Sequence, residues 1–161
     1  MKRLLLIVLP LLLIVGCSEV EGQQLIQFVE TYENGNISSI TYHKKTQNRI
    51  ELVKGEGYYE NGQKQGEGDF KNGKPDGLIK GWYESGKKEY ERTYKDGENL
   101  LYTRWYENGQ KESEINYKDG KRDGLYTDWY ENGQKENEGI FKDGELVEFI
   151  GEWNEDGSVR E

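Results

Sequence analysis

The stretch Trp105-Tyr106-Glu107-Asn108-Gly109-Gln110-Lys111-Glu112 recurs letter for letter as Trp129 to Glu136. Looser copies run from Tyr58 to Lys64 and from Trp82 to Lys88, and degenerate ones from Tyr32 to Gly35 and Trp153 to Gly157. The turn glycines stand at 35, 62, 86, 109, 133 and 157, so the steps are 27, 24, 23, 24 and 24 residues. A fixed period of this length means a stack of similar units, each too small to bury itself except against its neighbours.

That architecture suits the composition. Only 33% of the residues are hydrophobic and an equal share is charged, which is thin for a deep core. The 12% of aromatic residues and the strict period argue against disorder. The formal charge is −9, and two units more negative if Lys2 and Arg3 leave with a leader. Such a surface repels phosphate backbones, so nucleic acid is not an expected partner. Cys17 is the single cysteine, which excludes an intrachain disulfide.

Each unit carries two turn signals. One is Glu-Asn-Gly, which favours a two-residue type I′ hairpin at Asn108-Gly109. The other ends in Gly73, Gly97, Gly120 and Gly144, each 11 residues after the first glycine. The segments between them have strand length and show no 3.6-residue apolar period. The expected fold is all-β, a single-layer antiparallel meander of about ten strands forming a ribbon roughly 45–50 Å wide. A four-residue loop at Asp119 to Arg122 keeps equivalent residues of successive units in line. One face then carries the rows Tyr102–Ile115–Tyr126 and Tyr106–Lys111–Tyr130, with Tyr117 opposite Gly124 and Phe70 opposite Gly77. The other carries Trp105 beside Glu112 and Trp129, with Leu101 and Leu125 in a neighbouring row. Neither face is uniformly polar, so cross-strand aromatic ladders are expected to hold the layer.

Lys2 and Arg3 precede the apolar run Leu4 to Val15, then Gly16 and Cys17. This is a signal-peptide pattern, too short to span a bilayer as a helix. Ile14-Val15-Gly16-Cys17 resembles the lipobox of bacterial lipoproteins, whose cysteine becomes the acylated first residue. The resemblance implies a lipid anchor at Cys17 and a place in the bacterial envelope, with Ser18 favouring the outer membrane. The expected division is residues 1–16 signal peptide, 17–27 lipidated cysteine and tether, 28–54 a degenerate repeat, and 55–161 the repeat domain. Within 28–54, Phe28 to Tyr32 and Ile37 to Tyr42 read as strands, and the polar run His43 to Asn48 as a break in register.

The segment Asp123-Gly124-Leu125-Tyr126-Thr127-Asp128-Trp129-Tyr130-Glu131-Asn132-Gly133-Gln134-Lys135 resembles the MORN repeat, in the variant of the bacterial YwqK-type antitoxin family. Pro75 to Tyr83 repeats it less closely. The resemblance implies a non-catalytic binding scaffold, with a toxin as one candidate partner. The lipobox departs from a cytoplasmic antitoxin and favours a protein partner in the envelope. Choline-binding repeats of cell-wall proteins also combine Trp, Tyr, Asn and Gly, but they are shorter and carry a Gly-Trp and Trp-Tyr-Tyr arrangement that this chain lacks.

No catalytic motif is present, and the single histidine, His43, has no second ligand nearby. Carboxylates recur at repeat positions such as Glu91, Glu114 and Glu138, which marks a solvated sheet face. No metal or cofactor is expected. What remains is a surface of the residue types that dominate binding hot spots. The candidate binding residues are Tyr102, Tyr106, Lys111, Tyr117, Tyr126, Tyr130, Trp105 and Trp129, offered to a protein partner or, alternatively, to a cell-surface glycan.

Overall fold

The computed structural model describes residues 19, 20 and 23–160; the expected signal peptide and lipidation site, Cys17, lie outside them. A two-residue strand β1 (Glu19–Val20) is followed by eleven long ones. They are β2 (Gln23–Thr31), β3 (Ile37–Lys45), β4 (Ile50–Tyr58), β5 (Lys64–Lys71), β6 (Lys74–Trp82), β7 (Lys88–Lys95), β8 (Glu98–Trp105), β9 (Lys111–Lys118), β10 (Lys121–Trp129), β11 (Lys135–Lys142) and β12 (Glu145–Glu152). They form one open antiparallel sheet in chain order, without a crossover. The described residues include no helix. Ile115, at 8% exposure, is the one buried hydrophobic side chain among them, beside buried Thr103 and Thr127. A single layer has two wet faces, so its side chains shelter one another along rows instead of entering a core.

The expected rows exist in the body of the sheet. Tyr102 pairs with Ile115, and Ile115 with Tyr126, so residues one repeat apart stand in line. The turns that deliver this register are not those expected. Glu-Asn-Gly does not form a type I′ hairpin. Gly109 N–H donates to the Tyr106 carbonyl and Tyr106 N–H to the Gln110 carbonyl, both at 2.9 Å. Of these turn residues only Gly109 has positive φ, at 92°. This is a type I turn followed by a glycine bulge. The Asn108 side chain stabilises it by accepting from Gln110 N–H at 2.8 Å.

The type I′ turns lie at the other edge. Positive φ at non-glycine residues occurs at Asn72, Asp96, Asp119 and Asp143, each followed by a positive-φ glycine. The loop at Asp119-Gly120 therefore has two residues, not four, and Lys118 faces Lys121. The register then shifts by two between Arg122 and Tyr126, which restores the line. The irregular stretch is fixed by Asp123, whose Oδ2 accepts from Lys142 Nζ at 2.8 Å and from Asp143 N–H at 3.3 Å. Consequently Tyr117 faces Arg122 and Phe70 faces Pro75, not Gly124 and Gly77. Those glycines instead face the rings of the following strand, Phe141 and Tyr94.

The run His43 to Asn48 does shift the register, by one residue against β4 between Tyr42 and His43, but it does not interrupt the sheet. β3 continues to Lys45, and Thr46 N–H closes the turn on the Arg49 carbonyl at 2.8 Å. In a single layer a polar side chain need not leave the strand. His43 packs edge-on against Phe28, 4.9 Å between centroids, and its Nε2 meets the Thr41 hydroxyl at 3.0 Å. The segment expected as a tether likewise contributes β1 and the start of β2.

Candidate functional site

The glycine bulge after each Glu-Asn-Gly turn decides which residues share a face. Body residues pair as Arg104 with Ser113, but the shift places Lys111 opposite Trp105. Lys111 therefore belongs to the tryptophan face, and the expected row Tyr106–Lys111–Tyr130 does not form. Glu112, expected beside Trp105, instead holds Arg104, 3.0 Å from its Nη1.

On the tryptophan face four successive units build the same group. Lys64, Lys88, Lys111 and Lys135 lie over the rings of Trp82, Trp105, Trp129 and Trp153, at 5.9, 4.7, 5.4 and 5.8 Å from the centroids. Each lysine also pairs with the glutamate three residues on, Lys111 with Glu114 at 2.5 Å and Lys135 with Glu138 at 2.6 Å. Exposed cation–π contacts and surface ion pairs contribute about 0.5–1 kcal/mol each at most. Their repetition is what stiffens the layer. Towards the N-terminal end the network is denser. Burial opposes the charge of Glu56. Hydrogen bonds from Lys54 Nζ at 2.6 Å and the Tyr58 hydroxyl at 2.7 Å, with the charges of Lys54 and Lys64, outweigh it and hold the pKa down to about 2. Tyr58, desolvated and bonded to that carboxylate, is pushed up to about 12.

The tyrosine face divides into two sets. Tyr106 and Tyr130 are structural: their hydroxyls donate to the carbonyls of Trp129 and Trp153, one unit onward, at 2.8 and 2.9 Å. Tyr32, Tyr59 and Tyr83 make the equivalent bond. Asn108 and Asn132 extend this zipper, donating to the Glu131 and Glu155 carbonyls at 2.6 Å. Tyr102, Tyr117 and Tyr126 are different. Among the described residues their hydroxyls donate to no protein acceptor. Tyr102 and Tyr126 flank buried Ile115, and Phe141 meets Tyr126 edge-on at 5.1 Å.

Sequence reasoning missed the arginines of this face. Arg92 lies over the rings of Tyr90 and Tyr102, at 5.6 and 4.8 Å, and Arg122 over Phe141 at 5.3 Å. Continuing the Tyr102–Ile115–Tyr126 row by one strand reaches Arg92, so that signal was present. Asp128, in the register position of Arg104, has its pKa raised by burial and then by the Glu136 charge. Rings with guanidinium groups over them form an amphipathic surface suited to a protein or a sugar. Among the described residues no group of three or more His, Cys, Asp or Glu is arranged to hold a metal.

Comparison with known proteins agrees with this geometry. No curated protein matches the chain in sequence. Among solved structures it resembles one titled "Crystal Structure of TarM", at TM-score 0.34 and 9% identity, over 78% of this chain and 21% of that one. A likeness that low carries no argument. Residues 54–72, 75–96, 98–119 and 122–143 each match the family described as the MORN repeat variant, and together they exceed half of the chain. Each match begins at a strand of the even series and ends at or beside a type I′ turn. This β-meander is typical of non-catalytic, repeat-based binding scaffolds, and the chain belongs to the MORN repeat variant family.

Proposed function

We propose that this chain is a lipid-anchored, protein-binding scaffold of the bacterial envelope. Its partner is an envelope protein or a secreted toxin, which makes an antitoxin or immunity role the specific form of the reading. The observation that carries it is the division among the tyrosines. Tyr106 and Tyr130 are engaged in the zipper, whereas Tyr102, Tyr117 and Tyr126 present on one face rings whose hydroxyls donate to no backbone carbonyl among the described residues, Tyr102 beside Arg92. Tyrosine and arginine are among the side chains most enriched in protein–protein hot spots.

The test is crosslinking capture from the cell envelope with the full-length protein and with Tyr102→Ser/Tyr126→Ser. The variant is expected to keep its β circular dichroism and lose the captured protein. Capture of the same proteins by the folded variant would remove this face from consideration. Binding of bare polysaccharide and of no protein would favour cell-surface glycan recognition in its place. The anchor is tested separately: Cys17→Ala is expected to abolish labelling by a clickable fatty acid and to release the protein or leave it unprocessed. An unlabelled wild type would defeat the lipid anchor.

A further inference from the structure

Five glycines of β4 to β6 stand side by side on the tyrosine face without positive φ: Gly55, Gly57, Gly66, Gly68 and Gly81. Gly68 pairs with Ile79, Ile79 with Arg92 and Arg92 with Tyr102, so they share the face of the Tyr102–Ile115–Tyr126 row. Backbone conformation does not require any of the five.

Packing explains three. A β carbon on Gly68 would lie 2.1 Å from Ile79 Cδ1, one on Gly81 2.2 Å from Tyr90 Cε1, and one on Gly66 3.3 Å from the Lys80 carbonyl oxygen. Gly55 and Gly57 have no such reason. Their β carbons would make only ordinary contacts, 3.6 Å to Phe70 and 3.7 Å to Gln65. A strand glycine of this kind costs stability, because it adds entropy to the unfolded chain and packs nothing. The space left open is a hollow of about 300 Å³ bordered by Phe70, Ile79 and Tyr90.

The next unit shows what fits such a space. Gly81 pairs with Tyr90, whose ring lies over it. One unit earlier the equivalent pair is Gly57 with Gly66, and no ring covers Gly57. An aromatic ring from outside, seated there as Tyr90 is over Gly81, completes the pattern. A sugar suits the hollow less. Its floor is peptide already bonded within the sheet, since β5 pairs on both sides. Thr41 meets His43 at 3.0 Å, and Glu56 and Glu67 hold Lys64 on the opposite face. Sugar hydroxyls would lack partners, a penalty that an apolar ring avoids. At the rim, Arg92 lies over Tyr90 and Tyr102 and forms no ion pair among the described residues. In a chain of formal charge −9, that leaves a cation beside the hollow for a carboxylate of the partner.

We infer that this hollow is the socket for an aromatic side chain of the protein partner, with a carboxylate beside that ring meeting Arg92. The inference rests on the scaffold reading above and names the partner's anchor on the same face. Aromatic anchors seated in pockets carry much of the energy of protein interfaces.

The probe is an unlabelled short peptide of glycine and serine with one tryptophan and a glutamate two residues on. Binding to the full-length protein in detergent is followed by amide NMR shifts, which are expected to centre on Gly55, Gly57 and Gly66. A peptide with alanine for tryptophan is expected to bind roughly tenfold or more weakly. One with glutamine for glutamate is expected to bind roughly threefold more weakly, a difference that Arg92→Gln erases. Gly57→Leu fills the hollow and is expected to abolish the shifts while raising the urea midpoint. Gly57→Ala, a smaller change, is expected to raise the midpoint and weaken binding. No shifts at these amides, unchanged binding by Gly57→Leu, or a midpoint lowered by Gly57→Ala would overturn the inference. So would an amino-sugar disaccharide that shifts these amides when the peptide does not, which would assign the hollow to a glycan. If the peptide fails while wild type and Gly57→Leu capture the same envelope proteins, the socket fails and the scaffold stands. If wild type captures no protein, the scaffold reading fails, and the protein partner with it.

Discussion

Gly109 and Gly133 hold φ of 92° and 83° at the ends of their type I turns. A β carbon on Gly109 would meet nothing within 4 Å, so substitution there isolates the backbone cost. Gly109→Val is expected to destabilise by about 1–3 kcal/mol, and Gly109→Asn by less, because asparagine tolerates the left-handed region. Equal urea midpoints for valine and asparagine would show that the turn relaxes. Two carboxylates define a pH dependence of opposite signs. Glu56, held down to about 2, stabilises the fold above its unfolded value, and that contribution disappears as the pH falls from about 4.5 through 2. Glu56→Gln is expected to cost about 1–2 kcal/mol at neutral pH, with the difference from wild type closing in that window. Asp128 is raised, so its charged form is the disfavoured one, and its penalty is present at neutral pH and fades as the pH falls through its folded value. Asp128→Asn is therefore expected to stabilise at pH 7 by on the order of 0.5 kcal/mol, and not at acid pH. Urea midpoints across pH check both, and a constant difference for either variant would contradict its assignment.

At the scale of the element, Tyr106 and Tyr130 fasten each turn to the next, and Tyr106→Phe/Tyr130→Phe removes both hydroxyls without removing a ring. The expected loss is about 0.5–1.5 kcal/mol per bond in thermal or urea melts, and an unchanged midpoint would make the bonds incidental. Strand positions and the Tyr102–Ile115–Tyr126 row were legible because a 24-residue period forces them. The turn types were exchanged for a local reason. Asn-Gly and Asp-Gly both accept a type I′ turn, and only the tertiary role of the side chain separates them. Asn108 must point across to Glu131, which suits the type I form. The unit with Ser85 in that place carried the signal, since serine has little tolerance for positive φ, whereas Asn72, Asp96, Asp119 and Asp143 all suit it. The face of Lys111 was misread for the same reason, because the bulge that turns it is invisible to strict alternation. The zipper role of Tyr106 and Tyr130 was not legible from residue type, which is the same as that of Tyr102 and Tyr126.

At the scale of the whole molecule, a sheet in which every strand touches only its neighbours has no shared core to average its stability. The buried residues other than glycine, Thr103, Ile115 and Thr127, all lie in β8 to β10, whereas the buried position of β5 is Gly68. The β4–β5 pair instead brings Gly55 opposite Gly68 and Gly57 opposite Gly66, and Gly66 faces Gly81 of β6. Where later units place Ile79, Tyr102 or Tyr126, this one has Gly55, which offers no side chain of its own and is covered only by the Phe70 ring. Strand glycines contribute no side chain to the rows and add entropy to the unfolded chain. The sheet is therefore expected to open first at β4 and β5, while β8 to β10 stay closed. The charged network at Glu56, Lys64 and Glu67 works against this opening, but it is partly exposed and weakens in salt. Native-state hydrogen exchange read by mass spectrometry on the full-length protein tests the balance. Amides of β4 and β5 are expected to exchange sooner than those of β8 to β10, by a margin that widens in high salt. Uniform protection from β4 to β11 would mean that the repeats unfold as one unit, and a margin that narrows in salt would assign the weak point to charge in place of glycine.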